Sequence, residues 1–319
     1  VDAVHIDWSN YGGGPIMRGV KAASPDDAGA TQPTVLASDL NGPTTIALGE
    51  GSPASGVRSR QKHDPQRHGL PSRHAGAGVD RQIMSNESGH MSKLTISDEA
   101  GTFDVSVLEA HRPSRVVLFA VGGGGNPERH APLLAALAER GCSVVAPHFE
   151  RMLSPVPTAE DLLLRARRLK LALDAVARVG VPTAGVGHSI GATMLLTLAG
   201  GQVWMGPGKR LPIAADDRID RLALMAPATG FFQAPGALDA LRVPVIVWVG
   251  SNDVITPPSQ AALLGDALGS RVSLEMRVVE GAGHYSFLNV PPPQTTDPLP
   301  DRDAFLAALA TAVGDFVVR

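Results

Sequence analysis

The chain has 319 residues and a mass of 33.1 kDa, enough for one large domain or two ordinary ones. Its 28 Lys and Arg against 31 Asp and Glu leave a net charge of −3, which argues against a nucleic-acid binder and supplies no basic handle for anionic membranes. A single cysteine, Cys142, excludes a disulfide framework or Cys-based zinc cluster, and no apolar run approaches the roughly 20 residues of a membrane span.

Residues 1–90 hold 13 Gly, 7 Pro and 9 Ser but only 14 Leu, Ile, Val and Phe, below the roughly 20 % floor for a segment that can bury a core. No period survives punctuation such as Gly12-Gly13-Gly14-Pro15. This stretch is expected to be a low-complexity, disordered or adventitious extension. It lacks the charged and apolar regions of a signal peptide, so a cytoplasmic location is expected. Met91-Ser92-Lys93 resembles a natural protein start, and residues 91–319 are expected to form one domain.

Alternation at Leu94–Ile96 and Phe103–Val107 predicts edge strands. Val116–Val121 is a short apolar run ending in four glycines, the pattern of a buried strand. Pro127 at a helix start, the stripe Leu133, Leu134, Leu137, Ala138 and the stop Gly141 predict a helix. Ser143–Pro147 is the next strand, and Thr158 caps a long helix with an acidic first turn. Arg165, Arg167, Arg168 and Lys170 are expected on its solvated face. Further strands are expected at Thr183–Gly187, Arg221–Met225, Val243–Val249 and Val272–Val279, with helices at Ser259–Leu268 and Arg302–Val317. Alternating β and α predicts a mainly parallel sheet with helices on both faces and active groups at the strands' carboxyl ends.

Gly187-His188-Ser189-Ile190-Gly191 stands between a strand and a helix, the context required of a G-x-S-x-G nucleophile elbow. The bland alternative is a serine capping a helix. A serine hydroxyl needs a base, and exactly one histidine follows the elbow, His284 in a glycine-rich loop. Among the other histidines, His111 and His130 are expected at the surface, His188 is the elbow's variable position, and His148 is a candidate pocket residue. Asp253, at the end of an apolar strand, is the candidate acid to orient His284. Asp216 and Asp217 compete but precede a strand, as turn residues do. The oxyanion donors are expected to be the N–H groups of Ile190 and of Gly123, with Gly124 next, in the loop Gly122–Gly125. A phosphate loop is disfavoured, since Pro127 stands where a third glycine belongs and no G-K-[ST] follows.

In this order, Val121-Gly122-Gly123-Gly124-Gly125-Asn126-Pro127, the elbow, Gly250-Ser251-Asn252-Asp253 and Gly281-Ala282-Gly283-His284-Tyr285-Ser286-Phe287 resemble the α/β-hydrolases. Within them, the chain from about Phe103 to Val317 resembles predicted dienelactone hydrolases and related serine esterases. The resemblance implies an α/β-hydrolase fold with a small lid or none, no cofactor or metal, and a small-molecule ester as the partner. Dienelactone hydrolases use a cysteine nucleophile, whereas Ser189 here points to other carboxylic esters. Gly200–Asp220 is a candidate lid, and Phe231-Phe232 could line an acyl pocket. The expected activity is a serine carboxylic-ester hydrolase acting through an acyl-enzyme on short to medium acyl esters. Thioesterase, amidase, acyltransferase and cofactor-free perhydrolase chemistry stay open, as does a non-catalytic binding protein.

Overall fold

The computed structural model describes residues 91–319 together with residues 5–8, 17–20, 34–35 and 79–82. Within the unit Val1–Gly76, strands β1 (His5–Trp8), β2 (Met17–Val20) and β3 (Thr34–Val35) form a small antiparallel sheet in that order. The expectation of a low-complexity or disordered extension over residues 1–90 lies mostly outside the described residues. A second unit, Ala77–Arg319, begins before Met91, because β4 (Val79–Gln82) pairs antiparallel with β5 (Met91–Asp98).

The second unit is built on one nine-stranded sheet. After β5 come β6 (Gly101–Leu108), β7 (Arg115–Ala120), β8 (Cys142–Pro147), β9 (Thr183–His188), β10 (Ile219–Met225), β11 (Val245–Gly250) and β12 (Leu274–Val279). Their order across the sheet is β12-β11-β10-β9-β7-β8-β6-β5-β4. The six strands from β12 to β8 are parallel, and β6, β5 and β4 add antiparallel at one side. Strands β7, β8, β9 and β11 are buried along their whole length, which is why β7 and β11 read as near-continuous apolar runs rather than alternations.

Among the described residues four α-helices lie between strands, α1 (Ala131–Glu139), α2 (Ala159–Val176), α3 (Ile190–Leu198) and α4 (Pro258–Leu268), and α5 (Arg302–Val318) follows β12. Leu133, Leu134 and Leu137 of α1 and Leu309, Val313 and Phe316 of α5 share one core with Val117, Phe119, Val186 and Trp248 from the sheet. Thr158 and Asp161 cap α2 reciprocally, satisfying two orphan N–H groups.

One expectation about α2 is overturned. Arg165 and Arg168 are buried, not solvated. They lie on the same stripe as Leu162, Ala166, Leu169 and Ala172. Arg168 lies over the Phe103 ring and pairs with Asp98 at 3.1 Å. Burial works to raise the Asp98 pKa, but Arg168, the Ala100 N–H and Arg167 together outweigh it and the net shift is downward. Arg165 lies over Phe149, its centre 4.6 Å from the ring centroid, and burial lowers its pKa to about 10. Long side chains can place apolar stems and planar heads inward when a ring or carboxylate receives them.

The order of strands places the site. From β7 the chain steps to β8 on one side, then returns past β7 to β9 on the other. In open α/β sheets a ligand site is expected where the direction reverses, here at the carboxyl end of β7. The Gly122–Gly125 loop leaves β7 there, and Ser189 follows β9 next to it.

Candidate active site

Ser189 sits between β9 and α3 with φ 55° and ψ −126°, a sparsely populated conformation for a non-glycine residue. Its N–H donates to the Met225 carbonyl at 2.9 Å, and its carbonyl accepts from Thr193 N–H at 3.2 Å, so both neighbouring elements hold the turn. The flanking glycines are required by contact. A Cβ on Gly187 would lie 2.8 Å from Leu195 Cδ1, and one on Gly191 would run into the Ala120 carbonyl. The tight turn leaves the hydroxyl facing the loop that carries His284.

His284 Nε2 lies 3.0 Å from Ser189 Oγ, and its Nδ1 lies 2.8 Å from Asp253 Oδ2. The three residues come from the carboxyl ends of β9, β11 and β12 and form one hydrogen-bonded chain. His284 and Asp253 are both buried. Asp253 Oδ1 accepts from the N–H groups of Ile255 and Thr256, each at 2.8 Å. Burial pushes the Asp253 pKa up, but the bonds from His284 and Thr256 outweigh it, and the carboxyl is held below its usual range. This carboxylate stays charged and keeps a fixed orientation toward His284.

The oxyanion candidates lie beside the serine. Ile190 is the first residue of α3, so its N–H has no carbonyl one turn earlier. In the glycine loop, Gly125 N–H donates to the Gly122 carbonyl at 3.1 Å, which fixes the plane of the peptide that carries the Gly123 N–H. The Gly123 carbonyl is held in turn by Met152 N–H at 2.8 Å. Gly125 adopts φ 77°, and a Cβ there would run into the Phe149 carbonyl. Arg165 reaches the Val121 carbonyl at 3.4 Å, at the root of the same loop.

Other sequence candidates lie elsewhere. Asp216 stands before β10 and pairs with Arg218 at 2.6 Å, at the amino end of the sheet. His148 bonds Ser106 of β6 through Nε2 at 2.8 Å. The buried Cys142 begins β8, also at the amino end, and burial raises its pKa. Gly200–Asp220 is tied to the far end of α3, with Gly201 N–H on the Leu196 carbonyl and Asp216 N–H on that of Leu198. Trp204 N–H in this stretch donates to the Phe231 carbonyl, and both Phe231 and Phe232 are buried. Among the described residues, no group of three or more His, Cys, Asp or Glu is placed to hold a metal ion.

Two features escape the sequence reading. Thr256 Oγ1 lies 2.8 Å from Asp253 Oδ2, 3.0 Å from His284 Nδ1 and 3.1 Å from the Ala226 carbonyl. It ties the acid and the base to the end of β10, where Ala226 itself has φ 47°. The signal was its place three residues after Asp253, the spacing of a carboxylate that folds back on its own backbone. The other is His130. Expected at the surface, it is only 2 % exposed, edge-on to Phe119 at 4.8 Å and 5.7 Å from the His188 ring. It stands three and four residues before Leu133 and Leu134, so it continues their buried stripe. Burial lowers its pKa to about 3.

His188 completes the row. It donates from Nε2 to the His284 carbonyl at 3.0 Å, its ring 4.8 Å from the His284 ring. Burial, with the nearby His284 and His130, drives its pKa well below the ordinary range. A neutral imidazole therefore braces the backbone of the candidate base.

No family model and no curated protein matches the chain. Among solved structures it is similar to a cold-adapted esterase from an Arctic intertidal metagenomic library, with TM-score 0.55 and 16 % identity over 75 % of this chain and 99 % of that one. It is also similar to a thermophilic esterase from Thermogutta terrifontis, with TM-score 0.51 and 15 % identity over 75 % and 91 %. A dienelactone hydrolase from Anabaena variabilis aligns with TM-score 0.49 and 17 % identity over 72 % and 97 %. The two esterases have the α/β-hydrolase fold, and this chain shares that fold.

Proposed function

We propose that the chain is a serine carboxylic-ester hydrolase working through an acyl-enzyme, with residues 91–319 as its catalytic domain. The observation that carries this is the Ser189–His284–Asp253 chain, at 3.0 and 2.8 Å, with Ser189 on a strained turn. His284 Nε2 takes the Ser189 proton as Oγ attacks the ester carbonyl. The oxyanion of the tetrahedral intermediate accepts from the N–H groups of Ile190 and Gly123. His284 then gives its proton to the departing alcohol, leaving the acyl group on Ser189. Water, deprotonated by the same imidazole, releases the carboxylic acid and restores the hydroxyl. Asp253 holds His284 in the tautomer with Nδ1–H and stabilises the imidazolium between steps.

Esterases among the structural relatives support the ester as the substrate class. Short to medium acyl groups suit a chain whose candidate lid is a small stretch tied to the far end of α3. No helix among the described residues is long and apolar enough to cross a membrane, and we read the protein as cytoplasmic. Nothing in the charge balance favours a nucleic-acid partner. The test is a panel of aryl esters of increasing acyl length, paired with the matching thioesters and amides. Turnover greatest on short to medium esters supports the reading. Turnover confined to thioesters or amides would replace it with one of those chemistries.

A further inference from the structure

Strand β12 ends the sheet, and among the described residues it pairs on one side only, with β11. The direction of its free backbone groups can be worked out. The Ser273 carbonyl accepts from Val245 N–H at 2.9 Å and the Val279 carbonyl from Ser251 N–H at 3.0 Å, both toward β11. Along a strand these directions alternate. The odd-numbered residues therefore turn to β11, and Leu274, Met276 and Val278 turn their N–H and C=O groups to the open edge.

The side chains on this edge are equally informative. Met276 is 38 % exposed and Val278 56 % exposed, two large apolar residues on a strand with free hydrogen-bonding groups. Such an edge is a template for another strand unless it is blunted. Charges often do the blunting, and here Glu275 and Arg277 are both part-exposed and pair with each other at 2.6 Å. Their placement, however, is symmetric about Met276. Leu274-Glu275-Met276-Arg277-Val278 reads apolar, acidic, apolar, basic, apolar. Run antiparallel against itself with Met276 opposite Met276, it sets Leu274 opposite Val278 and Glu275 opposite Arg277.

We propose that β12 pairs antiparallel with β12 of a second copy of this chain about a twofold axis at Met276, joining two sheets into one. The backbone directions fit this register. Residues 274, 276 and 278 form the hydrogen-bonded pairs, each exchanging two bonds, for about six across the edge. Glu275 and Arg277 fall at the non-hydrogen-bonded positions, where Cα atoms approach to about 4.5 Å and side chains interact most closely. Each Glu275 then meets Arg277 of the partner subunit as well as its own, giving an alternating group of four charges. Any shift by two residues places Glu275 opposite itself or Arg277 opposite itself, so the charges select one register. A twofold contact of this kind is closed and forms a dimer rather than a fibre.

Sedimentation of the full chain tests this. The wild type should sediment as a dimer, about twice 33.1 kDa. Glu275→Arg alone sets Arg against Arg at both crossings, and Arg277→Glu alone sets Glu against Glu, so each variant should be monomeric. Mixed in equal amounts, the two variants should form a heterodimer, because each then supplies the charge the other lacks. Met276→Lys should also be monomeric. Unchanged circular dichroism in each variant separates loss of pairing from loss of folding, since none of these residues touches the Ser189 site. A wild type that stays monomeric at about 100 µM would overturn the proposal. So would a dimer that persists in both single charge variants, or single variants that fail to pair when mixed. Slow amide exchange at Met276 in a monomeric wild type would show another segment on this edge, which equally contradicts it.

Discussion

The two ends of the parallel strands meet the same physical problem differently. At the amino ends, buried or half-buried charges are matched by opposite charges. Arg115 of β7 pairs with Asp220 at 2.5 Å, Arg221 bonds the Phe316 carbonyl at 2.9 Å, and Arg218 joins Asp216 to Asp174 of α2. At the carboxyl ends the one buried carboxylate among the described residues is Asp253, and its matching proton lies on an imidazole whose other nitrogen reaches a hydroxyl. Backbone strain is also uneven. The non-glycine residues of the described strand ends that take positive φ, Ser189 and Ala226, both follow the carboxyl ends of β9 and β10. One end is neutralised within itself. The other holds a serine hydroxyl against an imidazole on a strained turn, the arrangement expected where charge is to be stabilised only when substrate arrives.

The largest effects should come from breaking the carboxyl-end chain. Ser189→Ala and His284→Ala should each reduce ester turnover on the order of 10⁶-fold, because nucleophile and base act as a unit. Steady-state kinetics on an aryl ester would check this, with circular dichroism showing the fold retained. Asp253→Asn should cost on the order of 10⁴-fold by favouring the wrong imidazole tautomer. Near-normal turnover in that variant would dissolve the contrast between the two ends.

Thr256 sharpens the comparison at smaller scale. Thr256→Val removes one buried hydrogen bond to Asp253 and should lower kcat about 10-fold with little change in KM. Thr256→Ser should restore it, since the hydroxyl rather than the methyl makes the contact. At the opposite end, Arg115→Ala should leave kcat/KM within about twofold yet cost roughly 1–3 kcal/mol of stability in denaturant unfolding, because Asp220 loses a buried partner.

A further effect concerns pH. His130 binds a proton near pH 6.5 when unfolded but only near about 3 when folded. Between these values the unfolded chain holds the extra proton, so the neutral folded form is fully favoured above pH 6.5 and loses ground as pH falls toward 3. His130→Phe, which keeps an aromatic ring beside Phe119, should spare about 2 kcal/mol of the stability lost between about pH 6.5 and 5. Denaturant titrations at the two pH values measure it.

Much of this was legible because it is local. The elbow, its strand and its helix are contiguous in sequence, and the glycine loop, Asp253 and His284 each follow an apolar run. Strand limits came within one to three residues for the same reason. What was hidden depends on tertiary contact. Arg165, Arg168 and His130 are polar residues on apolar stripes, and only the Phe149, Phe103 and Phe119 rings that receive them reveal their burial. The crossing of β7 between β8 and β9, and β4 beside β5, are pairings between distant segments that no local period encodes. Thr256 was visible in sequence but carried no weight until the Ala226 carbonyl and His284 met its hydroxyl.

The central claim is that Ser189 is made nucleophilic by the residues hydrogen-bonded behind it. Labelling the full chain with a fluorophosphonate and mapping the modified peptide by mass spectrometry tests this most directly. The label should fall on Ser189 at one equivalent, vanish in Ser189→Ala and be lost or greatly slowed in His284→Ala. Labelling of another residue, or full labelling of the His284→Ala variant, would contradict it.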